Sequence, residues 1–161
     1  MSEHTALVRW QRGDGDFAQG RYSRRHEWRF DGGAVVPASP SPHVVPAPWS
    51  DAAGVDPEEA FIAAISSCHM LWFLSFAAQA GYVVDRYADE ARGEMQTRPD
   101  GVAWVARAIL SPQIRFTGTK APDEAAVTAL HHKAHASCNI AHSARTEISV
   151  EPRWSFEPAQ V

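Results

Sequence analysis

The sequence predicts an α+β fold in which strands are followed by a helix, more strands, a second helix and a closing strand. Three observations lead to this prediction. Several segments alternate apolar and polar residues, which is typical of half-buried strands. Two long stretches carry helix-capping residues instead. Asp-Gly and Pro-Asp-Gly turns separate neighbouring strands, so an antiparallel sheet is the expected arrangement.

Residues 5 to 36 are expected to form the first strands. The segments "TALVRWQR" and "HEWRFDGGAVVPAS" alternate, and Asp31-Gly32-Gly33 is a hairpin signal. The following stretch, 37–50, contains five prolines and therefore cannot be an inner strand or a helix. We expect it to be an extended loop that leads to the first helix.

The first helix is predicted from about Pro57 to Ala80. Asp56 is the expected N-cap, and Glu58 lies in the first turn, where the helix dipole favours an anion. Gly81 is the expected C-terminal stop. Apolar side chains occupy nearly every face of this helix, which indicates a helix enclosed by protein.

The rest of the chain continues the pattern. We expect strands in "YVVDRYADEARGEMQ" and "VAWVARAILSPQIRF", a helix in "DEAAVTALHHKAHASC", and a closing strand in "EISVEPRWSFEP". The piece "NIAHSAR" is expected to continue the second helix or to bend from it.

Composition limits the class of protein. The chain has 161 residues and 45% apolar content, which predicts a single domain over residues 1–161 with a core from about 7 to 152. A net charge of −4 argues against nucleic acid as a partner. The N-terminus lacks a signal pattern, and the apolar run at 60–80 contains several polar residues. We therefore expect a cytoplasmic protein without a membrane span.

Two cysteines, Cys68 and Cys138, are too few for a disulfide scaffold. In a reducing compartment such thiols are apolar filler, metal ligands or redox groups. If the fold brings them together, one thiolate can attack a peroxide and form a sulfenic acid, which the second thiol converts into a disulfide. The attacking thiol then needs a nearby cation, and an arginine held by a carboxylate can supply it.

Histidines offer a second reading of the same region. His131 and His135 are four residues apart on the predicted second helix, and Cys138 follows three residues later, which is a possible metal trio by spacing. We weigh this reading below the redox one because helix-borne histidine pairs are common. His69 follows Cys68 directly, and neighbouring helix positions do not face each other.

Two motifs resemble those of the OsmC/Ohr family of thiol-dependent hydroperoxide reductases. "DPEEAFIAAISSCHM" resembles its Pro-Glu segment with a cysteine ten residues after the first glutamate, and "LHHKAHASCNIAHS" resembles the helix with the partner cysteine. The resemblance spans about residues 7–152 and is nearest to a less-studied OsmC-like branch. It implies an OsmC-like fold, with antiparallel sheets wrapped around central helices in an intertwined homodimer.

The resemblance also implies roles for individual residues. Cys68 matches the peroxidatic cysteine, Cys138 the resolving cysteine, and Glu58 the acid that holds the catalytic arginine. Arg24 fits the position of that arginine, with Arg25 as the alternative, because only one of two neighbouring strand residues can point to the thiol.

The implied activity is the reduction of organic hydroperoxides to alcohols without a cofactor. The implied partners are the hydroperoxide, a dithiol reductant of the lipoyl type or another kind, and a second copy of the chain. The alternative is a stress protein of the same fold that binds a small ligand or a metal without turnover.

Overall fold

Residues 2–159 are described by the computed structural model, and they divide into two units at the boundary between Ala60 and Phe61. The predicted single domain includes residue 1 and residues 160–161, which lie outside the described part, and it stays a prediction. The strands are β1 (Ala6–Arg9), β2 (His26–Phe30), β3 (Val35–Ala38), β4 (Val83–Asp89), β5 (Arg92–Thr97), β6 (Ala103–Leu110), β7 (Pro112–Gly118), β8 (Glu147–Val150) and β9 (Arg153–Pro158). The helices are α1 (Pro57–Gln79), α2 (Glu124–Ser137) and α3 (Asn139–Ser143).

The first unit is built on an antiparallel sheet with the strand order β1-β2-β3. The predicted hairpin is present, and Gly33 adopts a φ of +86°, which glycine tolerates without strain. Pro37 belongs to β3 rather than to the loop, and it is accepted there because β3 is an edge strand. Downstream, Ala38 bridges Val55, which returns the chain to the start of α1.

Helix α1 begins at the predicted residue for a clear local reason. The Asp56 carboxylate accepts a hydrogen bond of 2.7 Å from the N–H of Glu59, and the Glu59 carboxylate accepts one of 3.1 Å from the N–H of Asp56. This reciprocal capping box satisfies two backbone donors that the helix leaves free. At the other end Gly81, with a φ of +78°, allows the chain to leave the helix.

The buried face of α1 is one stripe of a helix that is apolar on most sides. The stripe recurs every three or four residues and consists of Ile62, Ile65, His69, Phe73 and Ala77. By length and composition α1 could cross a membrane, with a mean hydropathy of 1.7 over its most apolar window. Core helices of soluble proteins can have the same length and hydropathy, so these two properties do not identify a membrane span.

The second unit contains two sheets, ordered β4-β7-β9 and β5-β6-β8. The pairs β4–β7 and β5–β6 are antiparallel, whereas β6–β8 and β7–β9 are parallel. The expected antiparallel arrangement was therefore wrong for these two pairs. The reason is connectivity: β8 and β9 follow α2 and α3, and such a long crossover permits parallel pairing. Three predicted strand regions are also each split in two, at Glu90–Ala91, Ser111 and Glu151–Pro152.

Two apolar clusters form the core of the second unit. One joins α1 and α2 to the β4-β7-β9 sheet through Phe73, Phe116, Val127 and Leu130, with Trp72 and Phe76 packed at its border. The other joins α1 to β6 through Ile62, Ile65, Ala108 and Leu110. Helix α1 is therefore held on one face by both clusters, and this fixes the position of Cys68, which α1 carries.

Candidate functional site

Cys68 lies in the middle of α1, at the edge of its buried stripe. The residue is half-buried, whereas the stripe residues on either side of it, Ile65 and His69, are almost completely inaccessible. A position next to the buried face lets the thiol point toward neighbouring elements while part of it stays reachable from solvent.

Cys138 lies where α2 ends and α3 begins, and it caps both helices. Its backbone N–H donates to the carbonyl of His135, and its Sγ accepts a hydrogen bond of 3.4 Å from the N–H of Ala141. The side chain is only 1% exposed. Because the backbone is extended at Cys138, the predicted continuation of α2 is a separate short helix.

The two thiols are neighbours, and both are free. Burial raises the pKa of Cys138, and the adjacent Cys68 raises it further through hydrogen bonding and charge repulsion. The N–H groups of Ala141 and Ile140 act in the opposite direction. A buried thiol beside a more accessible one can stay protonated until its neighbour is oxidised, and can then form a disulfide with it.

Arg24 lies in the first unit, on a wall of an apolar cavity. Its guanidinium donates to the carbonyls of Gly20 (3.0 Å) and Tyr22 (2.9 Å) and lies 4.1 Å from the centre of the Tyr22 ring. Arg25 instead forms a salt bridge of 2.9 Å with Asp51. These contacts give the two arginines different environments. Both lie before β2 begins at His26, so the strand position expected for them was wrong, and the choice between them stays a prediction.

Glu58 lies in the first turn of α1 and is half-buried. Within residues 2–159, neither Glu58 nor Arg24 takes part in a salt bridge. The predicted pairing of Glu58 with Arg24 is therefore not formed in the single chain. That Glu58 holds the catalytic arginine stays a prediction.

The cavity beside Arg24 has a volume of about 600 Å³. An aromatic cluster closes one side, since Phe17 stacks on Tyr22 at 4.7 Å and Trp10 meets the edge of Tyr22 at 5.4 Å. The remaining wall is mainly aliphatic and contains Val8, Pro40, Val45 and Pro57. A cavity of this size and polarity fits a small apolar molecule.

A buried pair of histidines adjoins the thiols and was missed as a pair from the sequence. Nε2 of His69 and Nδ1 of His131 are 2.9 Å apart, and the residues are 1% and 4% exposed. Burial lowers the pKa of His69 to about 4 and that of His131 to about 3, and neighbouring histidines contribute. The sequence did contain a signal, because each residue interrupts an apolar stripe of its helix.

A carboxylate also anchors α1 close to Cys68. Asp89 accepts a hydrogen bond of 2.5 Å from the hydroxyl of Ser66 and one of 2.6 Å from the N–H of Ser111. Burial and the charge of Asp89 together raise the pKa of Tyr87. Asp89 thus ties α1 to the point where β6 passes into β7. No sequence pattern pointed to this residue.

The family model described as OsmC-like protein matches residues 50–153, which is well over half of the chain and includes both cysteines. The chain belongs to the OsmC-like protein family. The α+β fold and the family expected from the two cysteine motifs are therefore confirmed.

One solved structure of an OsmC-like protein supports the same assignment, and others share the fold. An OsmC-like protein of unknown function from Vibrio cholerae is 49% identical, with a TM-score of 0.92 over 95% of this chain and 100% of that one. An organic hydroperoxide resistance protein from Elizabethkingia anophelis is 17% identical, with a TM-score of 0.68 over 98% of each chain. A second such protein, from Bacillus subtilis, is 15% identical, with a TM-score of 0.59 over 96% of this chain and 98% of that one. At these low identities the last two show a shared fold alone. No curated protein matches the chain.

The metal trio considered from spacing does not form in this OsmC-like chain. Across residues 2–159 no group of three or more histidine, cysteine or acidic side chains is arranged to hold a metal ion. Nδ1 of His131 is engaged by His69, and Sγ of Cys138 caps α3 beside Cys68. These contacts direct the side chains of His131 and Cys138 to different partners.

Proposed function

We propose that this OsmC-like chain is a cysteine peroxidase that reduces organic hydroperoxides to alcohols. Cys68, as a thiolate, attacks the distal peroxide oxygen, the O–O bond breaks, and the alkoxide leaves and takes up a proton as the alcohol. Cys68 becomes a sulfenic acid. The Cys138 thiol then forms the S–S bond and water departs, and an external dithiol gives two electrons and two protons to restore both thiols.

The observation that carries this proposal is the unequal pair of adjacent thiols. Cys68 is the more accessible of the two, as the group that meets the peroxide must be. Cys138 is buried, and its raised pKa keeps it protonated and unreactive toward peroxide until the sulfenic acid forms. Adjacent thiols also need little movement to reach the S–S distance.

Arg24 and Glu58 receive their roles from the family resemblance. Arg24 is proposed to stabilise the Cys68 thiolate and to polarise the peroxide, and Glu58 is proposed to orient the guanidinium fork. In support, the guanidinium of Arg24 makes only neutral contacts within the described residues, so it keeps its positive charge unpaired. Arg25 is neutralised by Asp51 and is a weaker candidate.

A homodimer in the cytoplasm is part of the proposal. Leu71 of α1 is 61% exposed in the single chain, and β1 presents Leu7 and Val8 at 56% and 62% exposure. A second copy of the chain that covers such residues would remove apolar surface from water. The proposed reductant is a dithiol, of the lipoyl type or another kind.

The experiment is a thiol count by mass after addition of cumene hydroperoxide to the reduced protein. We expect the wild type to lose two hydrogens and the Cys68→Ser variant to remain unchanged. The matched Cys138→Ser variant should gain one oxygen as a sulfenic acid that dimedone traps. A wild type that keeps both thiols with excess peroxide would refute the proposal.

A second candidate function is the binding of a small apolar ligand without turnover. The specific observation in its favour is the cavity of about 600 Å³ beside Arg24, whose walls are largely aromatic and aliphatic. Titration with a fluorescent apolar probe such as ANS separates the two. Saturable binding that the Val8→Asp variant abolishes, together with unreactive thiols, would favour this second function.

A further inference from the structure

The paired imidazoles of His69 and His131 form the most deeply buried polar contact between α1 and α2. Their nitrogens are 2.9 Å apart, and the rings lie nearly parallel with centroids separated by 5.3 Å. Phe73, one turn further along α1, stacks on the His131 ring with centroids 4.4 Å apart. The hydrogen bond is thus enclosed by aromatic groups and shielded from competing water.

Joining two helices through this contact costs desolvation free energy. The Nε2 atom of His131 has no hydrogen-bonding partner among the described residues, and both imidazoles are removed from water. Apolar side chains of similar volume would avoid that desolvation. What a hydrogen bond adds is direction, because only one rotation and one translation of the helices bring the two nitrogens into line.

The same two elements carry the cysteines. His69 follows Cys68 directly on α1. His131 precedes Cys138, the C-cap of α2, by seven residues. This spacing is about two helical turns, which predicts that both residues project from nearly the same side of α2. Cys68 of α1 lies beside Cys138, whereas Phe73, five residues later on α1, lies against His131, seven residues before Cys138. The imidazole pair and the thiol pair are therefore two contacts of one helix pairing.

We propose that His69 and His131 are positioning residues, whose hydrogen bond fixes α1 against α2 so that the sulfurs of Cys68 and Cys138 meet. This inference deepens the proposed function and rests on it for the purpose of the disulfide. Neither histidine touches the peroxide. Their effect is on the closeness of the two thiols, a property that is measurable without any peroxide.

The measurement is the equilibrium of the protein with oxidised and reduced dithiothreitol. Oxidised dithiothreitol accepts two electrons and two protons from the two thiols as the Cys68–Cys138 bond forms, and the protein becomes the disulfide. The equilibrium constant gives the effective concentration of one protein thiol at the other relative to that in dithiothreitol, and it therefore reports their relative placement.

Four variants distinguish the effect of the hydrogen bond from the effect of side-chain volume. His69→Leu and His131→Leu remove the hydrogen bond and should each lower the effective concentration by about tenfold or more. His69→Gln places an amide near the position of Nε2, and His131→Asn places one near the position of Nδ1, so both retain a hydrogen bond. We expect these two amide variants to stay within about twofold of the wild type.

Val127→Ala is the matched control for lost packing. Val127 is a buried core residue one turn before His131 on α2, and shortening it weakens the same helix without removing the hydrogen bond. We expect Val127→Ala to lower the midpoint of unfolding while its effective concentration stays at the wild-type value.

Two results would overturn the inference: leucine variants that match the wild type, or amide variants that fall as far as the leucine variants. The fate of the proposed function is read separately. If thiols of the wild type ignore cumene hydroperoxide and the leucine variants still lose effective concentration, the peroxidase proposal fails and the positioning role stands.

Discussion

Acid should destabilise this protein through its buried histidines, and the double variant His69→Leu/His131→Leu should lose that response. In the folded chain both imidazoles stay neutral well below pH 6.5, because burial lowers the pKa of His69 to about 4 and that of His131 to about 3. The nearby rings of His135 and His132 add to the lowering. In the unfolded chain both imidazoles take up protons near pH 6.5.

The size of the effect follows from proton linkage. Below pH 6.5 the unfolded state binds one more proton per histidine than the folded state, so the free energy of unfolding falls by about 1.4 kcal/mol per pH unit for each. Between pH 7 and pH 5 this amounts to about 2 kcal/mol per histidine and about 4 kcal/mol for the pair. The stability that depends on keeping these two imidazoles neutral is fully present above pH 6.5 and decreases as the pH falls toward 4.

The assay is urea unfolding at pH 7 and pH 5, followed by tryptophan fluorescence at one fixed protein concentration. Other acid-sensitive groups act equally in both proteins, so the difference between wild type and double variant isolates the pair. His43→Gln, a change at an exposed loop residue, is the matched control and should keep the wild-type response. Equal pH responses in the wild type and the double variant would show that the buried pair does not cause the acid sensitivity.

Three further predictions concern other residues. Arg24→Ala should slow the consumption of cumene hydroperoxide by tenfold or more in a peroxide assay with dithiothreitol as reductant. Arg25→Ala is the control and should not slow it. Equal rates for both variants and the wild type would exclude Arg24 as the catalytic arginine. Asp89→Ala leaves a hydroxyl and a backbone N–H without their acceptor and should lower the free energy of urea unfolding by about 2 kcal/mol, and an unchanged midpoint would contradict this. Gly93→Ala puts a Cβ 2.9 Å from the Ile62 side chain of α1 and should lower the free energy of unfolding by about 1–3 kcal/mol. Gly32→Ala, whose added Cβ meets open space, should lower it far less. Similar unfolding midpoints for the two variants would count against this packing of β5 on α1.

Local signals in the sequence predicted much of the fold. The capping of α1 by Asp56 and the stop at Gly81 depend on residues next to one another in the chain, and both were predicted correctly. The hairpin at Asp31-Gly32-Gly33 is equally local. The parallel pairings of β8 and β9 were not predicted, because they depend on the path of the chain after α2.

The candidate site shows the same division. Motif spacing singled out Cys68 and Cys138 as candidates, and the fold places the two thiols next to each other. Their redox roles stay predictions. The pairing of His69 with His131, 62 residues apart, depends on how α1 and α2 rotate against each other. The interrupted apolar stripes mark each histidine, but no local pattern says that the two meet. Asp89 was overlooked for a similar reason, since its two donors come from distant parts of the chain.

The proposed function requires a bond between Cys68 and Cys138 after oxidation. Peptide mapping of the protein treated with one equivalent of cumene hydroperoxide tests for this bond. We expect one cross-linked peptide that joins the segment around Cys68 to the segment around Cys138 and disappears on reduction. Recovery of both cysteines as free thiols, or of Cys68 joined only to a different molecule, would contradict it.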